Sequence, residues 1–275
     1  VIRRAPETFS YAAPGDAFAK RVIIRLIECM TGQPRLKRIY QAYRDQPASS
    51  DFWNAAVQRL KLKLDYDAGP LESWPRRGPL VVVCNHPFGV VDGLAICALV
   101  ARLRPDFRIL ANALLGRADE VQGHLLPVDF AGSREALAVN LRSRALARDH
   151  LAAGGCLIVF PAGGVSTTPS LLHRRAVDAP WGAFTAKLIA QSRADVAPVY
   201  FAGQNSRLFQ IASHIHMTLR LSLLFKEAHD RIGGTVAMTP GRVHKFAELS
   251  GFQGPALMDH LRRITYALAD PAPER

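Results

Sequence analysis

Val81-Val82-Val83-Cys84-Asn85-His86-Pro87-Phe88-Gly89-Val90-Val91-Asp92-Gly93 is an apolar run that ends in a histidine, with an aspartate six residues further on. Pro87 biases His86 away from helical backbone and toward an extended conformation, which sets His86 at the C-terminal end of a strand over 80–84. Gly89 permits a tight turn, and the apolar run 94–101 is long enough for a helix whose first turn holds Asp92. The chain then doubles back and brings Asp92 to the imidazole. A carboxylate on one ring nitrogen fixes the tautomer and leaves the other nitrogen free to take a proton from a hydroxyl or thiol. The ordinary alternative is a histidine that caps a strand and an aspartate that caps a helix. The rest of the chain decides between them.

Downstream of Gly78 the texture is one of short apolar runs alternating with helical stretches. Strands are expected over 80–84, 107–111, 124–128, 156–160, 196–201, 218–224 and 235–239, and helices over 93–102, 133–153, 181–193, 206–213 and 254–269. This alternation predicts an α/β fold, a mostly parallel central sheet flanked by helices. Ligands in such sheets gather beyond the carboxyl ends of the strands, which is where His86 is expected.

Upstream, residues 16–30 carry Phe18, Val22, Ile23, Leu26, Ile27 and Met30 at helical spacing, with Lys20, Arg21 and Arg25 beside them. A second helix is expected over 51–64, where Phe52, Trp53, Val57 and Leu60 mix with Arg59, Lys61 and Lys63. Either these stripes pack on the core, or the basic amphipathic helices lie on anionic lipid. The chain divides accordingly into 1–70, an N-terminal helical, membrane-associating extension, and 71–275, the α/β domain.

With 275 residues, 49% of them hydrophobic, the chain can bury a sizeable core. Thirty-five Lys+Arg against 23 Asp+Glu leave a formal charge of +12, which calls for an anionic partner: nucleic acid, a lipid surface or a phosphorylated substrate. Cys29, Cys84, Cys97 and Cys156 are widely spaced in apolar contexts and read as reduced packing residues, not a metal site or disulfide frame. His214 and His216 lack the partners that metal binding needs. No secretory leader is expected at Val1-Ile2-Arg3-Arg4, and no segment reaches the roughly 18 uninterrupted apolar residues of a spanning helix.

Cys156-Leu157-Ile158-Val159-Phe160-Pro161-Ala162-Gly163-Gly164-Val165-Ser166 is a second buried strand running into a glycine turn. Backbone N–H groups exposed in such a turn, helped by the hydroxyls of Ser166, Thr167 and Thr168, can cradle an anion. Two further blocks follow, Ala197-Pro198-Val199-Tyr200-Phe201 and Gly203-Gln204-Asn205-Ser206-Arg207-Leu208-Phe209.

In this order, with Asn85 to Gly89 and Asp92-Gly93 first, the four blocks resemble the glycerolipid (lysophospholipid) acyltransferase superfamily, and most closely its bacterial hemolysin-like branch, related to the lyso-ornithine-lipid acyltransferases. The resemblance covers about residues 18–245. It implies an O-acyltransferase that moves a fatty acyl group from an acyl-carrier-protein or CoA thioester to the hydroxyl of a lysolipid, such as lyso-ornithine lipid or a lysophospholipid. His86 would be the general base and Asp92 its orienting acid. Asn85, Phe88, Gly89, Gly163, Gly164, Ser166 and Asn205 would line the substrate site. The family pattern carries Glu after Phe-Pro and Arg before the final Ser, where this chain has Ala162 and Val165, and the hemolysin-like branch often has an acid where this chain has Gly164. Arg134 and Arg207, at the ends of elements, are the candidate replacements for the missing cation.

Further expectations from the resemblance are an anionic membrane surface, an acyl carrier protein or CoA thioester and a lysolipid acceptor as partners, no nucleic acid, no metal, and no cofactor beyond the acyl thioester cosubstrate. The implied place is peripheral, on the cytoplasmic face of the bacterial inner membrane. Cys84, two residues before His86, is expected to point to the opposite face, which disfavours a Cys-His dyad. Two rivals remain: a lipid-binding member that keeps the fold without turnover, motivated by Ala162, Gly164 and Val165, and a nucleic-acid module motivated by charge alone, without a motif for it.

Overall fold

The computed structural model describes residues 32–45, 51–113, 119–129 and 132–269, together with Phe18, Arg21 and Val22. Apart from those three, the amphipathic segment 16–30 lies outside the described residues, as does Cys29.

Seven strands form one sheet: β1 (Lys63–Asp65), β2 (Leu80–Cys84), β3 (Arg108–Asn112), β4 (Leu125–Val128), β5 (Cys156–Val159), β6 (Asp195–Phe201) and β7 (Thr235–Pro240), in the order β1-β7-β6-β2-β5-β3-β4. Every pairing is parallel except β6 with β7. The helices are α1 (Gln33–Asp45), α2 (Phe52–Arg59), α3 (Val90–Ala101), α4 (Arg134–Ala152), α5 (Ala183–Ser192), α6 (Arg207–Ile215), α7 (Met217–Asp230), α8 (Phe246–Leu249) and α9 (Gly254–Ala267). This is the expected α/β architecture.

β2 is buried along its whole length, because neighbours cover both faces. Leu80, Val82 and Cys84 pack with Trp53 and Val57 of α2 and with α3, whereas Val81 and Val83 pack with Ala147 and Leu151 of α4, Leu188 and Ile189 of α5 and Leu261 of α9. Period-two alternation thus feeds two cores from one strand. At the other end of the strands, the guanidinium of Arg104 pairs with Asp106 and donates to the carbonyls of Pro75, Gly78 and Gly154, tying together the loops that enter β2 and β5. Residues 52–65 belong to the same framework: β1 pairs with β7, and Trp53 sits in the main core.

One expected element is of the wrong type. Residues 218–224, where the sequence predicts a strand, lie within α7. Leu219, Leu221 and Leu223 alternate with Arg220 and Ser222 and so imitate a half-buried strand. The longer segment settles the matter: Leu, Arg, Lys, Glu and Ala favour helix, Lys226 pairs with Asp230 one turn on, and Ser222, Leu223, Leu224, Glu227 and Ala228 form one buried helical face. α6 and α7 pack on each other around Phe209, Ala212, Leu223 and Leu224. Glu227 joins their ends by accepting both the backbone N–H (2.9 Å) and the hydroxyl (2.5 Å) of Ser206, the N-cap of α6.

Candidate active site

His86 leaves the carboxyl end of β2, the strand at the centre of the β6-β2-β5 trio. The next residues turn sharply, and Gly89 sits at φ +88° as the N-cap of α3. A Cβ there would meet Leu224 at 3.1 Å and Val165 at 3.2 Å, so the position demands glycine twice over, by backbone and by space. Asp92 is the third residue of α3. Its Oδ2 accepts the backbone N–H groups of Phe88 (2.9 Å) and Gly89 (3.0 Å), which fastens the turn in the manner of a capping box.

The same Oδ2 lies 2.9 Å from His86 Nδ1. The approach falls off the ring N–H axis, so the pair is at ion-pair distance without an aligned hydrogen bond. Asp92 is fully buried, and His86 is 16% exposed. Phe160 stacks on the other side of the imidazole, 4.0 Å between ring centres and 29° between planes. Among the described residues no donor or acceptor engages Nε2. The ring is packed on one face, has Nδ1 beside the Asp92 carboxylate and leaves Nε2 unengaged among the described residues.

The histidine's backbone has an anchor that the sequence did not disclose. Asp178, in the loop between β5 and α5, is buried and accepts three donors: His86 N–H at 3.1 Å, the Ser166 hydroxyl at 2.5 Å and the Trp181 indole N–H at 2.9 Å. Ser166 N–H in turn closes on His86 carbonyl at 2.8 Å. From α9, the Tyr266 hydroxyl accepts Asp178 N–H at 2.8 Å and Arg262 donates to Asp178 carbonyl at 2.9 Å. Burial and the charge of Asp178 push the Tyr266 phenol up to about 12, so it stays neutral in that role.

The other expected site residues fall into distinct places. Asn85 is buried and clamps β2 to β6, donating to Phe201 carbonyl (2.9 Å) and accepting Phe201 N–H (2.7 Å). Phe88 is buried beneath the guanidinium of Arg231, 3.4 Å from its ring centre, and against Gly203, where a Cβ would lie 2.7 Å from the ring. Asn205 is buried beside Phe88 carbonyl. Gly163 turns at φ +68° with its N–H on Phe160 carbonyl, and Gly164 lies open to Arg220. Arg207 spends its guanidinium on the carbonyls of His173 and Leu171, and Arg134 is exposed at the start of α4, beyond the edge strand β4.

Cys84 is fully buried, packs with the α2–α3 core and has its thiol pushed well up by burial, which makes it a poor nucleophile at neutral pH. Cys97 is pushed up in the same way, and Cys156 to about 12. The arrangement could serve general base catalysis by His86, and among the described residues no thiol or hydroxyl is hydrogen-bonded to its ring as a covalent nucleophile would be.

The family model described as Acyltransferase matches residues 5–236. Two curated relatives, both named lyso-glycine lipid O-acyltransferase, are similar to the chain. The match to that of Phocaeicola vulgatus is 29% identical over 171 residues, 60% of this chain but only 56% of the relative's length, and that to Bacteroides thetaiotaomicron is 29% identical over 231 residues, 79% of each. Among solved structures, the 1-acyl-sn-glycerophosphate acyltransferase PlsC of Thermotoga maritima is similar in fold, with a TM-score of 0.52 over 93% of this chain and 99% of that one at 13% identity.

Proposed function

The chain belongs to the acyltransferase family, and on that footing we propose that it moves a fatty acyl group from an acyl thioester to the hydroxyl of a lysolipid. The observation that carries this reading is the buried Asp92 carboxylate 2.9 Å from His86 Nδ1, with Nε2 unengaged among the described residues. Nε2 takes the proton of the acceptor hydroxyl, and the oxygen attacks the thioester carbonyl. The tetrahedral oxyanion collapses, the C–S bond breaks, and the thiolate leaves with the proton that the imidazolium returns. Asp92 favours the imidazolium in the interval. The products are an ester and a free thiol.

The names of the two relatives favour a lyso-glycine lipid as acceptor, and the lyso-ornithine lipid expected from the sequence motifs shares its amino-acid headgroup. An acidic acyl carrier protein suits the formal charge of +12 as donor, with CoA the alternative. We place the chain peripherally on anionic membrane, at its cytoplasmic face, and one apolar surface favours the peripheral seat. Leu208, Ile211 and Ile215 of α6, Met217 of α7, and Leu171 and Leu172 of the loop that Arg207 pins to α6 are all exposed. Arg174 and Arg175 are exposed beside them, and residues 162–177 and 196–226 contain no Asp or Glu. No helix among the described residues is long and apolar enough to cross a membrane.

The test is purified protein with acyl-carrier-protein or CoA thioesters and a panel of lysolipids, read by mass spectrometry. Transfer that disappears in His86→Ala is expected. A wild type that binds the lipids but transfers to none of them would instead mark the chain as a lipid-binding member without turnover.

A further inference from the structure

Arg220, on α7, is a cation without an acid. Its Nη2 donates to Val165 carbonyl at 2.5 Å, and its guanidinium carbon lies 6.0 Å from the centre of the Phe209 ring. Among the described residues no carboxylate reaches it. Burial pushes its pKa down, and no neighbouring charge offsets the effect. The other arginines drawn inward differ: Arg104 pairs with Asp106, and Arg231 feels Asp92, Glu227 and Asp230.

A desolvated charge is costly unless something pairs with it. Arg220 also has a telling position. Val165, whose carbonyl it holds, precedes Ser166, the residue whose N–H closes on His86 carbonyl. On its near side is Gly164, where a Cβ would come within 3.4 Å of Nη2. The guanidinium thus lies against the glycine turn next to the loop that holds His86.

We infer that Arg220 is the anion-binding residue beside His86, receiving a carboxylate or phosphate of a substrate on the fork of its guanidinium. The inference rests on the acyl-transfer reading only for which substrate brings the anion. An acceptor with an amino-acid headgroup would bring a carboxylate. A phosphopantetheine or CoA donor would bring a phosphate.

The test uses an N-(β-hydroxyacyl)glycine, its uncharged glycinamide, and acyl-CoA over a concentration series, with wild type, Arg220→Gln and Arg220→Lys. Arg220→Gln should raise KM for the glycine acceptor about tenfold or more, leave the glycinamide indifferent to the substitution, and be partly repaired in Arg220→Lys. A KM increase that falls on acyl-CoA instead assigns the same site to the donor phosphate. Unchanged KM for all three in folded Arg220→Gln overturns the inference. So does a misfolded Arg220→Gln alongside a folded Arg220→Lys whose KM values equal those of wild type. Thermal melting separates this inference from the one it leans on: a wild type that transfers nothing, yet melts higher with the N-acylglycine and loses that rise in Arg220→Gln, sinks acyl transfer and leaves the anion site standing. No rise in either protein, with no transfer, removes both.

Discussion

Asp178 Oδ1 accepts the backbone N–H of His86 at 3.1 Å while the same oxygen takes the hydroxyl of Ser166 at 2.5 Å, so one buried carboxylate ties the two motif loops after β2 and β5. With Trp181 on its other oxygen, all of its near neighbours are donors. Asp178→Asn replaces one acceptor by an NH2 group and leaves at least one donor facing another. The expected cost is about 1–3 kcal/mol of stability, a fall of several degrees in Tm. Because Asp178 acts through His86 rather than on substrate, kcat should fall by about 10²-fold with KM little changed. Equal kcat in folded protein would show that the His86 loop keeps its shape unaided.

Asp92 has two duties on one oxygen, and two substitutions separate them. Asp92→Asn can keep its carbonyl oxygen on the N–H groups of Phe88 and Gly89, so the fold should persist while the negative charge beside His86 is lost. Transfer should drop by about 10²–10⁴-fold with Tm nearly unchanged. Asp92→Ala orphans both buried N–H groups and should in addition lose about 2–5 kcal/mol, measurable by urea unfolding.

The exposed face of α6 and the 171–175 loop gives a prediction about lipid. Leu172 is 92% exposed and Ile215 66%, so Leu172→Asp with Ile215→Asp should leave Tm within a degree or two. Sedimentation with phosphatidylglycerol vesicles should decline in the double variant and with added salt. Binding that survives both changes would place the membrane contact elsewhere on the chain.

Acid should weaken the fold through three partly buried histidines, His150, His244 and His260. Burial lowers the pKa of His150, whose Nε2 donates to Cys156 carbonyl at 3.1 Å, and burial does the same to His244 and His260. A group with a depressed folded pKa takes its proton more readily when unfolded. Its contribution is complete above the ordinary imidazole value of 6.5 and is lost as pH falls below it. Tm should decline on that limb, and His150→Gln, which retains a donor for the carbonyl, should flatten it. An unaltered slope would assign the acid limb to other groups.

Much of this was legible in the chain. β2, β5 and β6 announce themselves because strands covered on both faces read as unbroken apolar runs, and Pro87 with Gly89 fixes where His86 and the Asp92 turn must fall. What escaped lies far along the chain from what it touches. Asp178 meets His86 across 92 residues, and nothing in Val177-Asp178-Ala179-Pro180 says that its carboxylate is buried. Arg220 was hidden by the leucine alternation that made its helix look like a strand. Arg134 and Arg207, the cations that the sequence offers at the ends of elements, are left exposed or occupied by the fold.

The grip of α9 on Asp178 has a consequence in time. Tyr266 and Arg262 complete the anchor of His86, yet they are translated long after His86 and Asp92. At ~5–20 residues per second the interval is on the order of ten to thirty-five seconds. Throughout it a nascent chain carries His86 and Asp92 without the contacts from α9 that fasten Asp178. On the proposed reaction, the loop that carries His86 gains its full support only when α9 docks, late in biosynthesis.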